Sequence, residues 1–201
     1  MKTLAFLLLV ALSSRLVWAD IHYVSTNGLH QSPYTNWTDA ATNLQNAVDA
    51  ADGGDTVLVS NGVYETGGRA VSGTMTNRVA IDRAVSLCSV NGPEVTLIRG
   101  AGPPGDTAVR CAYVTDGALL AGFTLTNGAT RNSGYDPKEV SGGGAWCEAN
   151  GVVSNCTFAA NSAYQYGGGT YRGTLYNCTF AGNYARLEGG GAHRSGLYSC
   201  S

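Results

Sequence analysis

One heptapeptide occurs twice in the C-terminal half of the chain. Asn155-Cys156-Thr157-Phe158-Ala159-Ala160-Asn161 returns 22 positions later as Asn177-Cys178-Thr179-Phe180-Ala181-Gly182-Asn183. Gly167-Gly168-Gly169 returns at the same offset as Gly189-Gly190-Gly191, and Cys200 follows Cys178 by 22. An earlier triplet, Gly142-Gly143-Gly144, precedes the second by 25, which places three extra residues in Cys147-Glu148-Ala149-Asn150. Gly122-Phe123-Thr124-Leu125-Thr126-Asn127 is a fainter copy. A fixed period of this length is the mark of stacked repeats, each too small to bury its own apolar face. The units carry short β-branched and aromatic runs and no helical spacing of apolar residues, so they are built of strands. Leucine-rich repeats share the period, but their regularly placed leucines are missing. The fold class that remains is all-β, a parallel β-helix solenoid.

In such a stack, equivalent residues lie about 4.8 Å apart and form ladders. Cys156, Cys178 and Cys200 make one column, and Phe158 with Phe180 makes another two residues on. Asn161 and Asn183 make a third at a turn, where asparagine tolerates left-handed geometry and its amide bonds up and down the stack. The glycine triplets let the chain turn where side chains would collide.

Composition agrees with a packed, low-charge β structure. Gly accounts for 28 of 201 residues and only 13% are charged, against about 25% in ordinary domains. With 44% hydrophobic residues and a net charge of −2, the chain is neither disordered nor endowed with a basic face for nucleic acid.

Upstream of the repeats, Lys2, the apolar run Leu4–Leu12 and the small-residue pattern Val17-Trp18-Ala19 read as a signal peptide over residues 1–19. Ser13, Ser14 and Arg15 interrupt the run long before the ~20 apolar residues a membrane span needs. The mature chain then starts near Asp20 and is secreted or placed at the cell surface or outer membrane, with no membrane span. Ile21–Ser25 reads as a strand. Thr38 as N-cap opens a helix over Asp39–Ala51, with Ala40, Leu44, Ala47, Val48 and Ala51 on one face and Gly53-Gly54 as its stop. Residues 20–55 thus form an entry strand and capping helix, and residues 56–201 form the coils. Strands are predicted at Thr56–Ser60, Val79–Ile81, Val85–Cys88, Val95–Ile98, Val109–Val114 and Leu119–Leu125. The final Ser199-Cys200-Ser201 starts a repeat without its Phe-x-x-Asn half. The expectation is an N-terminal fragment whose uncapped end promotes self-association.

The stretch Leu44 to Tyr64, with Gly54-Asp55-Thr56-Val57 after the helix and Gly62-Val63-Tyr64 after the strand, resembles the N-terminal entry of the right-handed parallel β-helix (pectin-lyase-like) superfamily. The pairs Gly168-Gly169-Thr170-Tyr171 with Phe180-Ala181-Gly182-Asn183, and Gly143-Gly144-Ala145-Trp146 with Phe158-Ala159-Ala160-Asn161, resemble the repeats of chlamydial-type polymorphic outer membrane proteins. Together they cover roughly residues 38 to 201. The resemblance implies a right-handed parallel β-helix solenoid with an N-terminal capping α-helix that closes its first coil. It transfers no catalytic residue, because the Asn-Thr-Asp, Asp-Asp and Gly-His-Gly signatures of the polygalacturonase branch are absent.

Two sets of side chains are candidates for chemistry. Arg131, Asp136, Lys138 and Glu139 cluster in Gly128–Val140, an insertion relative to the tight repeats, and would supply the base and cation of a polysaccharide lyase. Ca²⁺ enters only under that alternative, and no other cofactor is implied. Trp146, Tyr171 and His193 each stand two residues after a glycine triplet. If the preceding Ala145, Thr170 and Ala192 face inward, the rings form an outward stripe able to stack on sugars. The six cysteines include no Cys-x-x-Cys, the three histidines are scattered, and no metal site is expected. The column cysteines read as small buried hydrophobes with free thiols. Asn36, Asn155 and Asn177 begin glycosylation sequons, two of them inside repeat strands. The functional expectation is an exported surface or scaffold protein, adhesive or in contact with polysaccharide or cell-surface glycan, without catalysis in this segment. The alternative is the N-terminal part of a lyase or glycoside hydrolase acting on acidic polysaccharide.

Overall fold

The computed structural model describes residues 19–201, so the signal-peptide reading lies almost wholly outside the described residues. The protein is strand-rich, with few helices and mostly parallel sheets, an architecture compatible with a β-helix. The first sheet orders Ile21–Val24, Thr56–Val59, Ser86–Ser89, Leu119–Ala121, Val152–Ser154, Thr174–Tyr176 and Gly196–Tyr198 in chain sequence. The second stacks Gly62–Tyr64, Thr96–Arg99, Thr124–Thr126, Thr157–Ala159 and Thr179–Ala181. The third stacks Thr76–Ile81, Val109–Val114, Ala145–Cys147, Thr170–Tyr171 and Ala192–His193, with Arg69–Ala70 added antiparallel at one edge. From Thr56 on, the chain visits these three sheets in rotation, each visit adding to the stack, and a further two-stranded parallel sheet pairs Ser162–Ala163 with Tyr184–Ala185.

Register turns the sequence repeat into columns. Val57, Leu87, Leu120, Val153 and Leu175 lie opposite one another on the first sheet. Tyr64, Ile98, Leu125, Phe158 and Phe180 do so on the second, and Val79, Ala112 and Ala145 on the third. The columns meet in one apolar core. The Phe158 and Phe180 rings stack with centroids 5.1 Å apart, and burying a ring of this size contributes about 1.5–3 kcal/mol. Where the predicted strand Leu119–Leu125 ran unbroken, Gly122-Phe123 divides it between two sheets, with Gly122 at φ +81°.

The asparagine ladder forms, but its backbone differs from the expectation. Asn161 Nδ2 donates to Asn183 Oδ1 at 3.0 Å and to Leu125 O at 2.9 Å, while Gly128 N–H donates to Asn161 Oδ1 at 2.8 Å. Neither Asn161 nor Asn183 is left-handed. That geometry belongs to Asn155, Asn177 and Ser199, with φ between 50° and 52°, where the chain leaves the first sheet, and to Asn127, at φ 53°, where it leaves the second.

The helix is also shorter than its apolar face suggests. α1 spans Leu44–Ala50, and its N-cap is Asn43, whose side chain accepts the Asn46 N–H at 3.0 Å, in place of Thr38. The reason is a competing ladder. Ala41 N–H donates to Tyr23 O and Ala41 O accepts from Ser25, which holds the preceding segment extended against the entry strand. Leu44, Ala47 and Val48 still bury the expected face against the first strands.

All six cysteines are free thiols. The Cys156 Sγ accepts the Phe123 N–H at 3.4 Å and the Cys200 Sγ accepts the Cys178 N–H at 3.4 Å, so each thiol sits against the backbone of a neighbouring circuit. Burial pushes the thiols up, to about 11 at Cys178 and about 12 at Cys111 and Cys147. A thiol held neutral in the fold stabilises it fully below the unfolded value near 9, and that contribution disappears as pH rises through the folded value. Stability is therefore expected to fall between about pH 9 and 12. Native-state alkylation should label half-buried Cys88 and Cys200, leaving Cys111, Cys147, Cys156 and Cys178 unmodified until the chain unfolds. Prompt labelling of Cys156 in the native protein would contradict its place in the core.

Candidate functional site

Between the strands Thr124–Thr126 and Ala145–Cys147 the chain makes a long excursion, and a single buried cation fastens it. Arg110 is 2% exposed. Its Nε donates to Gly142 O at 2.7 Å and Nη1 to Asn77 Oδ1 at 2.8 Å. Nη2 donates to Lys138 O at 2.6 Å and Ser141 O at 2.9 Å. Burial lowers its pKa to about 10, which leaves it protonated at neutral pH. The guanidinium thus satisfies carbonyls at the end of the excursion that no strand reaches. Within the excursion, Asp136 and Pro137 start a short helix, α2 (Pro137–Val140), with the Asp136 side chain accepting the Lys138 N–H at 2.9 Å. Sequence reasoning passed over Arg110. The available signal was one arginine in the otherwise apolar strand Val109–Val114.

The four charged residues predicted for this segment do not converge on a common space. Arg131 donates to Asp106 at 2.7 Å and stands 4.0 Å from Glu139. Glu139 accepts the Thr74 N–H at 2.7 Å, and Asp136 accepts from Ser72 at 3.3 Å. Lys138 donates to Glu148 at 2.7 Å, and Glu148 also accepts the Tyr113 hydroxyl at 2.8 Å. Burial raises the Glu148 carboxyl, but the bonds from Lys138 and Tyr113 outweigh it and hold the group below its ordinary value. The only ion pair among the four is Arg131 with Glu139, and each of the four side chains also bonds to a residue outside the set.

Trp146, Tyr171 and His193 do form one column, in register with Ala80 and Tyr113, which the sequence pattern did not include. Ala145 faces the main core, and the rings occupy a second cluster on the opposite face of the third sheet. They are covered, however. Trp146 and Tyr171 are each 2% exposed and stack on one another at 4.7 Å. The Arg172 guanidinium lies 5.7 Å from both rings, and Tyr166 stacks on half-buried His193 at 4.7 Å. The column is a small outer core whose ring faces are taken by neighbours.

The open space lies beside it, where the excursion meets the following circuits. A cleft of about 370 Å³ is lined by Asn132, Tyr135, Tyr164, Gln165, Arg186 and Leu187, among others. Its walls are tied together by the backbone. Tyr164 N–H donates to Thr130 Oγ1 at 2.9 Å, Gln165 N–H to Val140 O at 2.9 Å, and Leu187 N–H to Gln165 O at 3.0 Å. The Arg186 guanidinium lies 4.9 Å over the Tyr164 ring, and among the described residues it has no carboxylate partner. Tyr135 projects almost fully into solvent. Tyrosine faces, two amides and an unpaired guanidinium suit a polar ligand that combines C–H faces, hydroxyls and a negative charge. A second cleft, of about 260 Å³ beside Trp37, Asn61 and Asn91, has no charged residue in its lining. Among the described residues no three His, Cys, Asp or Glu side chains are placed to hold a metal ion together. No protein-family model, curated protein or solved structure matches this chain.

Proposed function

We propose that the chain is an exported right-handed parallel β-helix, closed at its first circuit by α1, that serves as a surface or scaffold domain and contacts acidic glycan in the Tyr164–Arg186 cleft. The three-sheet rotation, the in-register columns and the buried apolar face of α1 support the architecture. The leader pattern of Lys2, Leu4–Leu12 and Ala19 supports export. The observation that carries the binding function is the unpaired Arg186 guanidinium stacked on Tyr164 in a cleft large enough for one or two sugar rings.

Calorimetric titration with short uronate oligosaccharides tests this reading. A charge-assisted hydrogen bond is worth about 1.5–3 kcal/mol, so Arg186→Ala should weaken uronate binding roughly 10- to 100-fold. Neutral oligosaccharides of equal length should bind weakly to both proteins. Tyr164→Ala should weaken both classes. Uronate affinity that Arg186→Ala leaves unchanged would sink the assignment. Polymer substrate should emerge intact. Unsaturated ends whose formation depends on Lys138 or Arg131 would replace the binding role with the lyase alternative.

A further inference from the structure

The start of the described chain carries a buried charge arrangement that the cleft does not use. Asp55, at the entry to strand Thr56–Val59, is 4% exposed. Its Oδ1 accepts the Asp20 backbone N–H at 2.8 Å, and its Oδ2 accepts the Asp52 N–H at 2.7 Å. The one basic side chain that reaches it among the described residues is His22, whose Nε2 lies 3.3 Å from Oδ2. His22 itself is tied to Pro33 O through Nδ1 at 2.7 Å. A carboxylate taken out of water is costly unless charge and hydrogen bonds compensate it.

The nitrogen of Asp20 is not free to wander. Asp20 O accepts the Thr56 N–H at 3.0 Å, and Ile21–Val24 pairs residue for residue with Thr56–Val59. The strand therefore delivers this one nitrogen to the buried carboxylate whatever precedes it. Ala19 and Asp20 are both exposed, and Ala19 is the last residue of the leader pattern.

We infer that hydrolysis of the Ala19–Asp20 peptide bond completes this site, the released α-ammonium of Asp20 docking on the Asp55 carboxylate. This rests on the export reading above. Water adds across the C–N bond under an export peptidase. The leader departs with a carboxylate at Ala19, and the Asp20 nitrogen takes up a proton. A neutral amide donor 2.8 Å from Oδ1 then becomes a charged one in the same place, and loss of the Ala19 carbonyl carbon opens room for it. The other titratable groups nearby are the His22 ring and the carboxylates of Asp52 and Asp20 itself. Only the Asp55 carboxylate accepts from the Asp20 nitrogen.

The test uses chains with defined N-termini, released from a removable fusion partner. One begins at Asp20, one carries Ala19 and further leader residues, and one begins at Asp20 with Asp55→Asn. In the first, the α-amine should titrate at least about one unit above the ~7.7–8.0 of a free amino terminus. Its Tm at pH 7 should exceed that of the extended chain by about 2–4 °C. The raised amine contributes fully below its unfolded value, so the Tm gap should close as pH rises through the folded value. Asp55→Asn should abolish both signals. Should that variant not fold, an Nα-acetylated chain beginning at Asp20 keeps the carboxylate, removes the charge and should match the extended chain in Tm. An α-amine that titrates at its ordinary value, or an extended chain of equal Tm, overturns the docking. Mass spectrometry of the exported protein reports separately on cleavage. A mature terminus at another residue overturns processing at this bond while leaving the docking measurement in force.

Discussion

Arg110→Met should destabilise the protein by about 3–5 kcal/mol, the range found when one partner of a buried charged network is removed. Methionine keeps the buried stem and deletes only the guanidinium. The carbonyls of Lys138, Ser141 and Gly142 and the Asn77 side-chain oxygen then lose the donor they share. Each buried acceptor left unmatched costs about 1–3 kcal/mol, reduced where the excursion can shift and admit water. The loss is expected to be local before it is global. Segment 131–141 should become protease-sensitive at temperatures where the three sheets persist, and cleft affinity should fall with it, because Gln165 bonds to Val140 O. Arg110→Lys should recover only part of the stability, since one ammonium cannot serve acceptors spread around a planar fork. Urea denaturation reads the total and limited proteolysis the location. A cost under about 1 kcal/mol would mean that Arg110 does not hold the excursion.

Gly168→Ala should cost about 3 kcal/mol or more, an exceptional value for adding one methyl group. A Cβ on Gly168 would lie 2.3 Å from Tyr184 O and 2.5 Å from Gly190 O, both backbone atoms of the next circuit. Neither oxygen can swing aside as a side chain would. The circuits must separate, which strains the bonds from Gly168 N–H to Gly189 O and from Gly169 N–H to Gly190 O, each 3.0 Å. Gly53→Ala is the control. Nothing lies within 4 Å of its Cβ position and its φ is not left-handed, so alanine there should be neutral or add about 0.4–1 kcal/mol through the unfolded chain. Equal thermal shifts for the two variants would refute close packing of the second triplet glycine.

The glycine triplets show where reading from sequence stops. Their recurrence pointed correctly to tight corners, and Gly167 does turn with φ +63°. Gly168 is required for another reason, the carbonyl of a residue 16 positions away occupying the place a Cβ would take. The helix teaches the same point. Its apolar face was legible because burial follows the 3.6-residue period, but its start was not, because Ala41 is claimed by a ladder with Tyr23 and Ser25. The charged segment was visible as an insertion, yet its side chains serve as fasteners, and the open cleft beside it joins Tyr135 to Tyr164 and Arg186 across separate circuits.

By itself, the sequence determined what periodicity can encode. A 22-residue repeat of strand-forming residues has one economical solution, parallel stacking in register, because only that places Phe158 over Phe180 and Asn161 over Asn183. The Cys and Phe columns, the strand-rich class and the alternation that puts Ala145 and Trp146 on opposite faces follow from it. Tertiary structure decided everything that depends on a non-repeating segment laid over the repeats. Arg110 settles the excursion and also lies 6.0 Å from the Trp146 ring, Arg172 and the neighbouring rings cover Trp146 and Tyr171, and Arg186 is left unpaired beside the excursion. Periodicity is a local property, written in each unit and amplified by stacking. Burial of an outward ring depends instead on which distant segment folds across it, and that is fixed by hydrogen bonds between residues tens of positions apart, such as Arg110 with Gly142.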